Sequence, residues 1–384
     1  MSQTLSDQDL LMLLAGLVGS EPREAPVLTA ALDRAQAARL VTLARHHRVE
    51  AWLAGTLDLS DPRWQELAAQ RPRFLADQVR TLATVRDLGS SLDAFSAPWL
   101  VIKGPALAHR LYPNVGLRHY VDLDVLVGPA WFGKVLEHLE GQGYRTIDRN
   151  WPLIESLRPG EIRMRGPRGV LIDLHWSLFN APLMRQAFRW STSELLATRT
   201  VVEPPGLPVL AAEPELAHLG LHAALSGANA LVWLLDLHLA AMSVSDWSRT
   251  VPAVRALAAG PALALTLGRA RRLFGTPVPG EVLRDLAGGL AWRATLASVD
   301  RNLRLPVSPS DPSASRLLAR SARRSSSRSA AAVARNGLTW VASGARRRYV
   351  APSWTDSRSP DSALYDVRDD QARERYLEMV GNQA

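Results

Sequence analysis

Asp122 and Asp124 occupy alternate positions of an otherwise apolar run, VDLDVLV, from Val121 to Val127. The run is β-rich and stops at Gly128-Pro129, so it predicts a strand. Successive side chains of a strand point to opposite faces, so both aspartates project together while Leu123 and Val125 face the other way. Two carboxylates that close repel one another and resist desolvation. The chain must therefore fold so that one face of this strand enters a core and the other meets a compensating positive charge. A divalent cation supplies that charge.

The flanking sequence fits such a site. Trp99 to Ile102 reads as a short strand, then Lys103-Gly104-Pro105 turns into a helix from Ala106 to Leu111. Pro105 suits the first turn of that helix. A glycine between a strand and a helix lets backbone N–H groups approach phosphate oxygens, with Lys103 beside them as a point charge. Arg118, four residues before the first aspartate, can grip phosphates bidentately or pair with a carboxylate. Further on, Ile162–Arg165 and Val170–Leu174 flank the turn Gly166-Pro167-Arg168-Gly169 and predict a hairpin. Asp173 and His175 share a face in IDLHW. If this strand lies beside Val121–Val127, three carboxylates and an imidazole converge. Three aspartates can hold Mg²⁺ through oxygen ligands, and two such ions can stabilise an in-line phosphoryl displacement.

Helical patterns surround this region. Ser6 to Val18 reads as a capped helix, Ala30 to Leu57 as one or two more, and Arg63 to Ser91 as a long one. Adjacent His46 and His47 face different sides of a helix and suit surface or packing roles. Trp131–Gln142 is a further helix, and Gly143–Ile147 a short strand or turn. From Pro182 onward the pattern is helical throughout: Glu213–Ser226, Ala230–Met242, Ala253–Phe274 and Glu281–Leu303. His218 and His222 are four apart on one helix face, but Leu219-Gly220 follows His218, so the zinc-protease HExxH pattern is absent. Val307–Ser315 reads as a linker.

The chain has 384 residues, no cysteine and a formal charge of +8. Disulfides and thiolate metal sites are excluded. Between Arg316 and Arg348 stand nine arginines and no acid, so the rest of the chain is close to neutral. The basic character thus belongs to one segment, which can attract an acidic partner such as tRNA, an acidic peptide or a membrane surface. No apolar run is long enough for a membrane span, and the N-terminus lacks the basic region of a signal peptide, so the expected location is the cytoplasm.

The order strand, glycine turn, helix, Asp-x-Asp strand and third aspartate on a later strand resembles the nucleotidyltransferase fold of the DNA polymerase β superfamily. VIKGPALAHRLYPNVGLRHYVDLDVLV, with IDLHWSLFN, is similar to an uncharacterised bacterial nucleotidyltransferase family marked by Lys-Gly, Leu-Tyr-Pro, an Arg and Asp-x-Asp-x-Leu-Val. EPELAHLGLHAAL and LVWLLDLHLAA resemble its helical block, placing His218, His222, Trp233 and Asp236 at matching positions. The likeness runs over residues 30 to 275. It implies that Asp122 and Asp124 bind metal, with Asp173 as third carboxylate or base, and that Lys103, Gly104, Arg118, His175, His222 and Asp236 serve the nucleotide. Two departures stand out. Pro105 replaces the small residue of the superfamily's Gly-Gly/Ser turn and removes an N–H donor. Val121 stands where many relatives have a small residue.

The resemblance implies an α+β fold, with a small mixed sheet and its helices flanked by N- and C-terminal helical regions. The corresponding stretches are 1–92 (helical), 93–185 (the α/β core), 186–305 (helical) and 306–384 (linker, arginine segment and tail). The implied activity is transfer of NMP from an NTP, with ATP favoured, to a hydroxyl or phosphate of a peptide, sugar or other small acceptor. Pyrophosphate is released, and Mg²⁺ or Mn²⁺ is the cofactor. Two alternatives are a toxin-like tRNA nucleotidyltransferase gripping RNA through Arg316–Arg348, and an inactive scaffold that only binds.

Overall fold

In the computed structural model, residues 5–19, 24–188, 190–290 and 369–383 are described, together with 293–294, 297, 305–307, 319–323, 328–332 and 334–335. Most of the Arg316–Arg348 segment, and all of 308–315 in the expected linker, lie outside the described residues. The described parts of Met1–Asp77, Leu107–His119 and Ala212–Gly337 form one compact unit. Those of Gln78–Ala106, Tyr120–Ala211 and Leu338–Ala384 form a second. The units alternate along the chain.

The first unit is helical. Helix Asp7–Gly19 begins where Ser6 Oγ accepts from the Asp9 backbone N–H. Helix Arg34–His46 starts on a capping box in which Asp33 and Gln36 satisfy each other's backbone donors. Leu10, Leu11, Leu14, Leu40, Trp52, Leu53, Leu234 and Leu235 share one core, each nearly sealed from solvent. His47 is fully buried in it. Its Nδ1 accepts from Leu231 N at 3.3 Å, and its Nε2 lies 2.9 Å from the Pro306 carbonyl. That is a packing role, because both ring nitrogens are committed to backbone. The expected helix Ala253–Phe274 is two helices, Trp247–Ala256 and Gly260–Phe274. Ala258 between them takes a positive φ of 60°, and Pro261 suits the first turn of the second helix.

The second unit is built on one seven-stranded sheet. Its strands are β1 (Trp99–Val101), β2 (Asp122–Val127), β3 (Arg145–Thr146), β4 (Glu161–Arg165), β5 (Leu171–His175), β6 (Thr200–Val202) and β7 (Leu207–Val209). The order is β3-β4-β5-β2-β1-β7-β6. β2 runs parallel to β5 and antiparallel to β1, and β4–β5 is the expected hairpin. The β6–β7 hairpin departs from the all-helical expectation after Pro182. Its strands are three residues each and are joined through Glu203-Pro204-Pro205-Gly206, so its turn residues outweigh its β signal.

Alternation sorts the sheet into two faces. Val101, Leu123, Val125, Ile162, Met164, Ile172 and Leu174 enter one core, covered by helix Pro129–Gly141, helix Trp151–Leu157 and the C-terminal helix Asp370–Gly381. Tyr376 of that last helix is fully buried. Its hydroxyl donates to Pro159 O at 2.8 Å and accepts from Trp176 Nε1 at 3.0 Å. On the other face Leu100, Ile102, Leu126, Leu195, Leu196 and Leu210 make a smaller cluster. That second face carries the polar side chains of β2 and β5. Among the described residues no helix is long and apolar enough to cross a membrane.

Candidate functional site

Parallel pairing of β2 and β5 sets Asp124 directly opposite Asp173, and Asp122 opposite Leu171. Paired residues on neighbouring strands share a face, so Asp122, Asp124, Asp173 and His175 project to the side away from the main core. Antiparallel pairing of β4 with β5 then sets Glu161 opposite His175. Glu161 begins its strand one residue before the sequence-predicted start. The mirror symmetry of the hairpin about Gly166–Val170 was the signal that could have found it.

The polar groups form a chain of contacts. Lys103 Nζ lies 3.3 Å from Asp124 Oδ1, and His175 Nε2 lies 3.2 Å from the same oxygen. His175 Nδ1 is 3.2 Å from Glu161 Oε2. The other oxygen of Glu161 accepts from Asn180 Nδ2 at 2.8 Å. Asn180 is itself tied to the start of β4, since Gly160 N donates to its Oδ1 at 2.9 Å. Asp124, Lys103 and His175 are held next to the sheet backbone, where Ile102 N donates to Asp124 O at 3.0 Å.

Gly104 is the hinge that brings Lys103 into this cluster. It adopts φ +59°, in the left-handed region, and a Cβ there would lie 3.4 Å from the Asp122 carbonyl. Pro105 opens the following helix, Pro105–Leu111.

The electrostatics follow from burial and crowding. Burial, then the neighbouring charges of Asp124 and Glu161, push the Asp173 carboxyl up to about 7. Burial alone would lower the His175 imidazole, but Glu161 and the hydrogen bond to Asp124 outweigh it and raise the group to about 9. Lys103 is treated the same way: desolvation is overcome by Asp124 and Asp122, and its ammonium is held above its usual value.

These residues suit a divalent cation. Among the described residues, Asp124, Asp173 and His175 each offer a donor atom within 4.8 Å of the others. Asp122 adds a further carboxylate whose charge acts on both Lys103 and Asp173. Burial first, and then the neighbouring carboxylates, favour the proton on Asp173, and a bound cation would compensate the carboxylates gathered there.

Arg118, His222 and Asp236 belong to the helical unit. Arg118 had two partners open to it, phosphate or carboxylate, and here it takes a carboxylate. Its Nε donates to Asp236 Oδ1 at 2.8 Å and its Nη2 to Oδ2 at 2.9 Å. Tyr112 Oη also donates to Asp236 Oδ1, at 2.7 Å. All three residues are buried. His222 is partly exposed. It stacks on His218 at a centroid distance of 6.0 Å and meets the Trp233 ring edge-on at 5.5 Å.

A family model described as an uncharacterised nucleotidyltransferase matches residues 33–275. Comparison with curated proteins finds no match. The match spans more than half of the chain, which thus belongs to that nucleotidyltransferase family.

Proposed function

We propose that this nucleotidyltransferase-family chain transfers NMP, with AMP favoured, from an NTP to a hydroxyl or phosphate oxygen of a peptide, sugar or other small acceptor, releasing pyrophosphate. The observation that carries the reading is the register of β2 against β5, which sets Asp124 beside Asp173 with Lys103 at hand. Asp122, Asp124 and Asp173 would hold a divalent cation, Mg²⁺ or Mn²⁺, which supplies charge neutralisation to the attacking and leaving oxygens.

The protein's own groups divide the remaining work. Lys103 binds the nucleotide phosphates as a point charge, and the Lys103-Gly104 turn brings the backbone close to them. The acceptor oxygen attacks the α-phosphorus, the bond from that phosphorus to the bridging oxygen breaks, and pyrophosphate leaves. The Asp173 carboxylate takes the proton of an incoming hydroxyl, a role that a carboxyl raised to about 7 suits near neutral pH. His175 neutralises Asp124 and contacts the nucleotide. By the family resemblance Arg118, His222 and Asp236 also serve nucleotide binding, with Asp236 orienting the Arg118 fork. The reaction is placed in the cytoplasm.

The nine arginines between Arg316 and Arg348 favour a second reading, in which the acceptor is tRNA. Incubation with α-phosphate-labelled NTP, Mg²⁺ or Mn²⁺ and cell extract tests both. Label on a peptide or small molecule supports the first, and label on RNA the second. Label transferred equally by Asp122→Ala/Asp124→Ala sinks the metal-site assignment, and no transfer at all leaves only a binding role.

A further inference from the structure

The strand order puts Lys103, which follows β1, on one side of the carboxylates of β2 and β5, and the arginines of β4 and β3 on the other. Arg163 pairs with Asp173 and Arg165 with Leu171, so both arginines share the carboxylate face. Arg145 pairs with Arg165 from the next strand and joins that face. Arg163 is committed: its Nη2 and Nε donate to Oδ1 of buried Asp148 at 2.9 and 3.2 Å. Arg145 and Arg165 are exposed, and neither forms an ion pair with a described residue. One arm of Arg165 is fixed, since its Nη1 donates to Gly169 O at 3.1 Å. Like charges directly opposite one another across a ladder are destabilising. A bound anion would remove the repulsion between these two guanidinium groups.

We infer that Arg145 and Arg165 bind a phosphate ester carried by the acceptor, whose attacking oxygen is a separate hydroxyl. Arg165 is the diagonal neighbour of Asp173, about 7–8 Å away between backbones. A small sugar phosphate can bridge that interval, with its hydroxyl at Asp173 and its phosphate at Arg165. Arg145 lies one strand further out, about 4.8 Å, and meets the far side of the same phosphate. A phosphate monoester offers three acceptor oxygens and a charge of about −1.5 to −2 near neutral pH. That suits two guanidinium forks better than a single carboxylate does. Lys103 remains on the nucleotide side, so donor and acceptor phosphates are held by different cations. Binding a nucleic acid draws on many phosphate contacts, whereas this pair matches one. The inference rests on the transferase reading above and narrows its acceptor to a phosphorylated small molecule.

The full chain is incubated with α-phosphate-labelled NTP, Mn²⁺ and the small-molecule fraction of a cell extract. One half of the extract is first passed over immobilised phosphatase. The expected result is label transfer to a small molecule from the untreated half and none from the treated half. With the labelled fraction as acceptor, Arg165→Ala and Arg145→Ala each raise its KM by about tenfold or more, the scale of a lost hydrogen bond to a charged group. The KM for NTP moves by less than about twofold, and Arg165→Lys recovers part of the acceptor affinity. Transfer that survives the phosphatase overturns the inference and leaves the transferase reading intact. An unchanged acceptor KM in both variants does the same, and an equal rise in the KM for NTP makes the arginines nucleotide ligands and overturns it too. Label found on RNA in whole extract, with affinity falling steeply with salt, replaces the small acceptor by a nucleic acid. If no extract supports transfer, the transferase reading fails, and inorganic phosphate titrated onto the chain loaded with a non-hydrolysable NTP analogue decides the rest. Phosphate binding lost in Arg165→Ala then sustains the anion site, and no binding removes it.

Discussion

Asp124 and Asp173 lie 49 positions apart in sequence and face each other across two parallel strands, in one register, on one side of the sheet. Neither could be placed there without the other gaining a reason to stay protonated or to find a cation. Replacing Asp124 by Asn removes a ligand but keeps an acceptor for Lys103 and His175. The expected result is a folded protein whose NMP transfer falls by about 10²-fold or more, the scale on which one electrostatic contact to a transition state counts. Labelled-NTP turnover beside circular dichroism checks both halves.

The same pair makes stability depend on pH. The folded Asp173 carboxyl, at about 7 against an ordinary 3.8, holds a proton that the unfolded chain has released, so its contribution falls as pH rises from about 4 to about 7. His175 is raised from 6.5 to about 9, so its contribution is complete below 6.5 and is lost as pH rises through about 9. In chelator, the Tm of wild type should decline across that range relative to Asp173→Asn, which lacks the lower part of the decline. Added Mn²⁺ should recover more stability at pH 8 than at pH 5. Parallel Tm profiles for wild type and Asp173→Asn would remove Asp173 as the source.

Much of this site could be read from the residues because it is written in local alternation. DLD and DLH each put their polar residues on one face, and a strand period of two makes that unambiguous. Glu161 escaped because a strand's first residue has no alternation before it. The Arg118–Asp236 contact escaped because a fork joining residues 118 positions apart leaves no trace in spacing. The β6–β7 hairpin was hidden by its own prolines. The break at Ala258 was hidden for the opposite reason: alanine-rich sequence continues a helical pattern through a residue whose backbone has already turned.

Arg118 and Asp236 predict a structural effect separable from chemistry. Both are buried, and removing one partner strands the other's charge. Asp236→Asn should destabilise the helical unit by about 3–5 kcal/mol, read as a shift in urea midpoint. Arg118→Lys keeps the charge but loses the two-pronged geometry, so it should also destabilise. Replacing both by apolar residues of similar size should recover part of the loss. If each single change leaves the urea midpoint unmoved, the fork does not brace the unit.

Gly104→Ala tests the hinge. An alanine in the left-handed region costs about 1–2 kcal/mol, and its Cβ would sit in contact with the Asp122 carbonyl. The expected outcome is a modest drop in Tm with a larger rise in KM for NTP, because Lys103 loses its placement. A variant with wild-type KM would show that the turn does not set Lys103.

Tyr376 tests the C-terminal helix. Its ring meets Phe132 and Trp151, and its hydroxyl bonds Pro159 and Trp176, all within the sheet unit. Tyr376→Ala should cost about 3–5 kcal/mol, as for other large buried aromatics, in differential scanning calorimetry. A change below about 0.5 kcal/mol would mean that the helix is an ornament on the sheet.

The alternation of the two units along the chain limits how such a protein can be inherited. Each unit draws on three separate stretches, and the last helix contributes to a core whose first residue is Val85. Recombination that exchanges a contiguous gene segment would cut at least one unit in two. For the same reason an expression clone trimmed ahead of residue 370 discards part of the sheet's interior.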